Sequence, residues 1–505
     1  MFPLRSLALI VSLSCLSFNC EESPVVSTSL GLVLGKQVSF QSHCADAYLG
    51  IPFAEPPVGK LRFRRPVTKK PWEGQLRTQE FSKPCFQRRG NVPAVPWQAN
   101  EAESSEDCLY LNVWTPRNRS SNVPLPVMLW IHGGSYKIGS ADLHMYDGTV
   151  LASYGQVVVV STNYRLGAFG FMNANITDVP GNMGLWDQYF ALRWVHDNAA
   201  AFGGDPSRVT VFGESVGGAS AGMLAFSPLC KGLIRRIIMQ SGTPRWPLPL
   251  ENDGGGAAGL RLALDLSRRV GCSSREHNYF IPESVTCLLD VPPEEIAEAE
   301  LQLFADHMFT FLTSFGDDLV PVRPHETIRE ARGLPVDVML GTNVREGAIL
   351  FFFGSGPNGV ASDWTSTAAG IDVSFGRKYL AQVFAAFPKE AIDQITEHYL
   401  GSMTERSAPE DVFAALVSAG GNFLFNCPAL FFADSFSGKH GALLAYKFDH
   451  RALSAPWPQE FESTHSDEIQ FVFGVPLRQP EMYSREDVLI SEEMMLAWAS
   501  FAHTG

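Results

Sequence analysis

Apolar and polar positions change period several times along this chain, and the changes lay out an alternation of strands and helices. Val127-Met128-Leu129-Trp130-Ile131 is an unbroken apolar run, residues 156–162 hold four consecutive valines, and Val209-Thr210-Val211-Phe212 and residues 237–240 are shorter apolar segments. Short apolar runs without alternation predict strands covered on both faces, as in parallel sheets. Between them, residues 185–198 carry helical spacing. Further on, 251–332 is helical with loops, 336–340 a strand, 378–436 helical and 442–448 the last clear strand. Near the N-terminus, residues 25–40 alternate around glycines and predict a hairpin or small meander. The order predicts an α/β fold, with a large central, mostly parallel sheet and helices on both faces. No linker, repeat or low-complexity block divides it, so residues 18–505 are expected to form a single domain.

Chemistry gathers where these strands end. Gly213-Glu214-Ser215-Val216-Gly217 lies between the 209–212 strand and a helical pattern rich in small residues. A Gly-x-Ser-x-Gly turn in that setting is a nucleophile elbow, in which a side chain at either glycine would strike its neighbours. The helix behind it aims its N-terminal amides and dipole at the serine. His132-Gly133-Gly134-Ser135-Tyr136 follows the 127–131 strand. A glycine-rich turn there leaves backbone N–H groups facing inward, and losing one oxyanion donor costs about 3–4 kcal/mol of transition-state stabilisation. Glu346 follows the 336–340 strand and His465 lies beyond the 442–448 strand. Wrapped parallel sheets place catalytic groups outside the carboxyl ends of strands. Ser215 is therefore the expected nucleophile, His465 the general base and acid, and Glu346 the group that orients the imidazole. Gly134, Ser135 and Val216 are the expected oxyanion donors.

Composition narrows the rest. With 505 residues, 45% hydrophobic and 18% charged, the chain can bury a large core. A net charge of −14 without a basic stripe argues against nucleic-acid binding and mildly favours cationic ligands. Residues 1–17, with Arg5 ahead of an apolar core at 7–16, have the form of a signal peptide. The expected location is secreted or in the secretory-pathway lumen, with no membrane span. Asn118 and Asn175 sit in glycan acceptor sequences. Cys85 and Cys108, and Cys272 and Cys287, bracket short polar segments and are expected to form loop-stapling disulfides, worth about 2–4 kcal/mol each. Spacing assigns no partners to Cys20, Cys44, Cys230 or Cys427, and no cysteine or histidine cluster calls for a metal; no cofactor is expected.

Over almost its whole length the chain resembles the type-B carboxylesterase/cholinesterase family. The matching stretches are GIPFAEPPVGKLRF, SEDCLYLNVW, WIHGGSY, NYRLGAFGF, GNMGLWDQ, AFGGDPSRVTVFGESVGG, GTNVREG and HSDEIQFVFG. The resemblance implies an α/β-hydrolase fold, ester hydrolysis through an acyl-serine, the two disulfides, and buried ion pairs Arg62–Glu106 and Arg165–Asp187. It also implies a further C-terminal segment supplying a partner for Cys427, so the chain is expected to be truncated at its C-terminus and to leave apolar surface uncovered. Two positions depart from the family. Gly-Gly-Ser at 133–135 replaces Gly-Gly-Gly or Gly-Gly-Ala and is similar to the neuroligins, adhesion relatives that lack the nucleophile. Arg345 stands before the glutamate, where it is expected to lower the glutamate pKa and compete for its oxygens.

The expected substrate is a small-molecule ester of broad type. A cholinesterase is the alternative enzyme, and a neuroligin-like, non-catalytic adhesion ectodomain is the alternative of another class, disfavoured by the intact serine, acid and histidine. For choline esters, Trp97 in the Cys85–Cys108 loop is either an indole for a quaternary ammonium or an anchor packing the loop. Glu214 suits a cation, Phe309 and Phe311 are candidates for narrowing the acyl pocket, and Ile349 stands near where cholinesterases carry an aromatic.

Overall fold

The computed structural model describes residues 23–505 except 42, 89–98, 100–102, 118, 120, 246–256, 307–308, 330–335, 353–370, 386 and 438–440. Trp97, Asn118, Cys20 and the 1–17 segment lie outside the described residues.

The main sheet has nine strands: β1 (Lys36–Phe40), β2 (His43–Pro52), β3 (Tyr110–Pro116), β4 (Leu125–Ile131), β5 (Val158–Thr162), β6 (Gly204–Glu214), β7 (Arg236–Gln240), β8 (Asp337–Asn343) and β9 (Leu443–Phe448). Their spatial order is β9-β8-β7-β6-β4-β5-β3-β2-β1. From β5 through β4, β6, β7 and β8 to β9 every pairing is parallel. The three pairings at the other end are antiparallel. The unbroken apolar runs occupy the centre: all of β4, β5 and β7 is buried. One large core lies on each face of the sheet, the first holding Leu129, Val160 and Val211, the second Met128, Trp130 and Phe212. That division follows from strand alternation: adjacent residues of β4 and of β6 face opposite cores. The 25–40 stretch divides: 25–34 form the expected hairpin, which pairs with 75–77 into a separate three-stranded sheet, whereas 36–40 join the main sheet as β1.

Helices α1 (Met183–Asn198) and α2 (Val216–Ala225) flank β6 in sequence. Pro409–Gly421 (α3) and Cys427–Phe436 (α4) join through a π-helical turn at Asn422–Asn426 into one continuous helix. This 28-residue helix is apolar and long enough to cross a membrane, which the sequence pattern did not single out. Its inner side is instead buried in the protein, through Val412, Phe413, Leu416, Val417, Phe432 and Phe436, as a core helix requires.

Both disulfides, Cys85–Cys108 and Cys272–Cys287, are formed. Arg62 clamps the two stapled regions together. Its guanidinium meets Glu106 in bidentate geometry at 2.7 and 2.6 Å, while Nη1 donates to the carbonyls of Leu288, Leu289 and Val291. Arg165 pairs with Asp187 of α1 in the same way, at 2.8 and 2.7 Å, with both side chains buried. Bidentate pairing satisfies the charges that burial would otherwise leave exposed to the apolar interior.

Candidate active site

Ser215 sits between the end of β6 and the start of α2, with φ 57° and ψ −125°. That conformation is costly for a residue with a side chain, and it persists because the surroundings leave no alternative. A Cβ at Gly217 would overlap the Ile131 carbonyl oxygen of β4, so the helix can start this close to the sheet only with glycine there. The Ser215 amide donates to the Gln240 carbonyl of β7 at 2.8 Å, which anchors the turn across the neighbouring strand. Val216 is the first residue of α2, so its N–H has no acceptor within the helix.

The glycine-rich turn after β4 lies alongside. Gly134, Ser135 and Tyr136 all have positive φ, at 108°, 57° and 58°. Glycine pays little for this; Ser135 and Tyr136 pay the left-handed penalty and are held by their neighbours. The Tyr136 hydroxyl meets Ser220 Oγ of α2 at 3.0 Å, the Tyr164 hydroxyl donates to the His132 carbonyl at 2.8 Å, and Gln87 bonds both backbone groups of Gly139. The turn is thus braced on three sides without using the amides of Gly134 and Ser135. Burial pushes the His132 imidazole down to about 4, so that ring is neutral.

Glu346 follows β8 and is 1% exposed. Its Oε1 accepts from Ser241 Oγ at 2.5 Å and from the Asn343 amide at 2.6 Å, and its Oε2 faces His465 Nδ1 at 2.6 Å. The loop bearing His465 is stitched to the acid loop by backbone: Arg345 N–H donates to the Ser463 carbonyl, and Asn343 Nδ2 donates to the Thr464 carbonyl. Glu346 and His465 are therefore brought together as the strand-end placement predicts.

Ser215 and His465 differ from expectation. Among the described residues, Ser215 Oγ makes no hydrogen bond; His465 Nε2 instead faces Glu214 Oε1 at 3.0 Å. An ionised carboxylate beats a neutral hydroxyl for a ring N–H, because the bond is charge-assisted. Ser466 Oγ donates to the same Glu214 oxygen at 2.6 Å and holds it there. Burial opposes charge on His465, but Glu214 and Glu346, one at each ring nitrogen, outweigh it and hold its pKa well above the ordinary value. Behind them Glu468, bonded by Gln240 and Asn343, is pushed up to about 7 by burial and then by Glu214.

Arg345 corrects a second expectation. Its guanidinium turns away from Glu346 and pairs with Glu462 at 2.8 Å. Glu346 already accepts from three backbone and side-chain donors, and the Arg345 guanidinium takes the half-exposed Glu462 carboxylate instead. Phe311 is buried in the core, and Phe309 packs against that core. Ile349 is buried as well. Asn175 is exposed on a short hairpin, Asn173–Ile176 with Val179–Pro180.

Sequence reasoning passed over Ser241, Asn343, Ser466, Glu468 and Phe425. For the first two a signal existed, since each ends or follows a parallel strand at the edge where the chemistry gathers.

Comparison with known proteins places this geometry. Residues 22–505 match the Carboxylesterase family. The chain belongs to that family. It is similar to Acetylcholinesterase-1 of Trittame loki, 37% identical over 490 residues, covering 95% of this chain and 86% of the relative. It is also similar to Acetylcholinesterase of Danio rerio, 36% identical over 544 aligned positions, covering 98% of this chain and 83% of the relative. The nine-stranded sheet with helices around it is accordingly the α/β-hydrolase fold, and the family's chemistry is carboxylic-ester hydrolysis.

Proposed function

We propose that this chain is a serine carboxylic-ester hydrolase acting through an acyl-Ser215 intermediate. The observation that carries the reading is the Glu346–His465 contact at 2.6 Å, buried beside a strained serine elbow. Glu346 holds the imidazole with its proton on Nδ1, so that Nε2 is left to accept the Ser215 hydroxyl proton. Ser215 Oγ then attacks the ester carbonyl carbon. The N–H groups of Gly134, Ser135 and Val216 stabilise the oxyanion, and His465 returns the proton to the departing alkoxide. Water, activated by the same imidazole, then hydrolyses the acyl-serine. For the first step the ring must give up Glu214 and engage Ser215; catalytic hydrogen bonds of this kind commonly tighten only when substrate is present.

Secretion fits the two disulfides, which persist in oxidising compartments, and the exposed Asn175 acceptor sequence. A cholinesterase is the second reading. It is favoured by the Glu214 carboxylate at the catalytic imidazole, where a cationic alcohol would lie close to it, and by the names of the two relatives. A panel of p-nitrophenyl esters beside acetylthiocholine tests both readings. Turnover of the neutral esters, blocked by a fluorophosphonate, is the expected result, and choline-ester turnover at higher kcat/KM would decide for the second reading. A folded protein inert toward every ester and toward the fluorophosphonate would sink both and leave a non-catalytic adhesion ectodomain.

The position of the acid limb follows from the charges. His465 must be neutral to act as base, and its raised pKa places the loss of activity at higher pH than an ordinary histidine would. Glu214→Gln keeps the shape and removes one of the two charges that raise it. The acid limb of kcat/KM for an uncharged ester is expected to move to lower pH, and an unmoved limb would show that Glu214 does not set the protonation of His465.

A further inference from the structure

A buried carboxylate stands behind the glycine-rich turn. Helix Pro293–Asp306 carries Ile296, Glu300 and Leu303 at helical spacing on one face, and all three are buried. An acid on such a core-facing stripe persists only with partners. Glu300 finds them at the start of the short helix Gly167–Phe171. Its Oε2 accepts from the Ala168 amide at 2.8 Å, and its Oε1 accepts from the Thr310 hydroxyl at 3.1 Å. The first amides of a helix have no acceptor within it, and Leu166 at the N-cap has no side-chain oxygen to offer. Glu300 therefore caps this helix from a distant part of the chain. The fit is close: a Cβ at Gly167, where φ is 52°, would overlap the carboxylate. Burial pushes the Glu300 carboxyl up, and the ammonium of Lys137, within the glycine-rich turn, is foremost among the groups opposing that shift.

The capped helix holds the turn. Gly167 N–H donates to the Tyr136 carbonyl at 2.7 Å, and the Phe171 and Tyr136 rings pack with centroids 4.5 Å apart. The Tyr136 carbonyl and the Lys137 N–H belong to one planar peptide unit, so fixing the first aims the second. Lys137 N–H donates to the Gly134 carbonyl at 2.9 Å. That carbonyl shares its own peptide plane with the N–H of Ser135. Two rigid planes and two hydrogen bonds thus join the capped helix to the Ser135 amide. The turn needs this support, because Ser135 and Tyr136 both keep left-handed φ.

We propose that Glu300 is a positioning residue for the oxyanion hole: by capping helix Gly167–Phe171 it keeps the Ser135 N–H aimed at the developing oxyanion. The proposal rests on the serine-hydrolase reading above. Glu300 acts through backbone alone, and its effect falls on the transition state, where preorganised donors count most.

The test compares wild type with Glu300→Met, which keeps the volume and removes both acceptor oxygens, and Glu300→Gln, whose carbonyl oxygen can still accept from Ala168. A trifluoromethyl ketone reads the oxyanion donors directly. Ser215 Oγ bonds to its carbonyl carbon, the hydroxyl proton passes to His465, and the carbonyl π pair moves onto the oxygen that the donors face. The matching methyl ketone binds without forming this adduct. Glu300→Met is expected to weaken the trifluoromethyl ketone about tenfold or more, short of the hundred- to thousandfold of a deleted donor, and to lower kcat for p-nitrophenyl acetate by a similar factor. KM and methyl-ketone affinity are expected to stay within about twofold, the pattern of a contact made only in the transition state. Glu300→Gln is expected to recover most of the loss. Thr310→Val removes only the hydroxyl on the second oxygen and is expected to weaken the trifluoromethyl ketone about threefold; it carries the test if Glu300→Met does not fold, and an unchanged affinity there overturns the assignment. A folded Glu300→Met with unchanged kcat and trifluoromethyl-ketone affinity overturns it too, as does equal weakening of both ketones or equal loss in the two Glu300 variants. A wild type that neither labels with a fluorophosphonate nor turns over any ester overturns the serine-hydrolase reading and this proposal with it.

Discussion

Ser215→Ala is expected to reduce kcat for a p-nitrophenyl ester on the order of a millionfold, and to abolish stoichiometric labelling by a fluorophosphonate. The serine is held at φ 57° and ψ −125° by the close approach of β6, α2 and β4, so the change removes one oxygen from a backbone that cannot relax elsewhere. Without Oγ no acyl-enzyme forms. The oxyanion donors and the binding surface remain, and they sustain a residual rate about a thousand- to ten-thousandfold above water. Melting temperature is expected to hold or rise slightly, since alanine carries no polar atom into the site. Mass spectrometry of the labelled protein and single-turnover kinetics check the two halves separately. Turnover by the alanine variant within tenfold of wild type would end the acyl-serine mechanism.

The second large effect is expected at the acid. Glu346→Gln is nearly isosteric, yet it should lower kcat about ten-thousandfold, as loss of the correct imidazole tautomer does. The carboxylate accepts from Ser241, from the Asn343 amide and from His465 Nδ1. An amide can supply a carbonyl oxygen to only one side. If that oxygen keeps the Ser241 and Asn343 donors, the NH2 faces Nδ1 and forces the ring proton onto Nε2. Nε2 is then a donor and cannot take the serine proton. The histidine also loses one of the two carboxylates that raise its pKa, so the residual activity should extend to lower pH. The measurement is kcat against pH together with a thermal melt. A loss smaller than tenfold in a folded variant would show that Glu346 does not set the tautomer.

Much of this arrangement is legible without coordinates. Apolar runs at 127–131, 209–212 and 237–240 become the central strands β4, β6 and β7; β4 and β7 start two and one residues earlier, and β6 starts five earlier and ends two later, at Leu125–Ile131, Arg236–Gln240 and Gly204–Glu214. The elbow and the glycine turn are readable because close backbone approach demands glycine at set positions, and the observed contacts show that demand at Gly217. The disulfides are readable because their cysteines are near in sequence, 23 and 15 residues apart. Arg62 and Glu106 are candidates for an ion pair from the residues themselves, whereas family resemblance alone carried the buried pair Arg165–Asp187.

What the amino-acid order by itself determined is the set of elements, their alternation, and the strand ends at which the serine, the acid and the histidine lie. These depend on local period, on sterics within a turn and on the rule that parallel sheets gather their chemistry at carboxyl edges. Only the tertiary structure decided which polar atoms meet there. Ser241 reaches Glu346 across 105 residues of chain, and Ser466 reaches Glu214 across 252. Arg345, adjacent to Glu346 in sequence, turns to Glu462 instead. His465 takes Glu214 at Nε2, and Phe425 arrives over the imidazole through a π turn. Hydrogen bonds between loops are chosen by distances of a few tenths of an ångström and by competition between charged and neutral acceptors. That competition is settled only when the loops are packed side by side, which no linear pattern records.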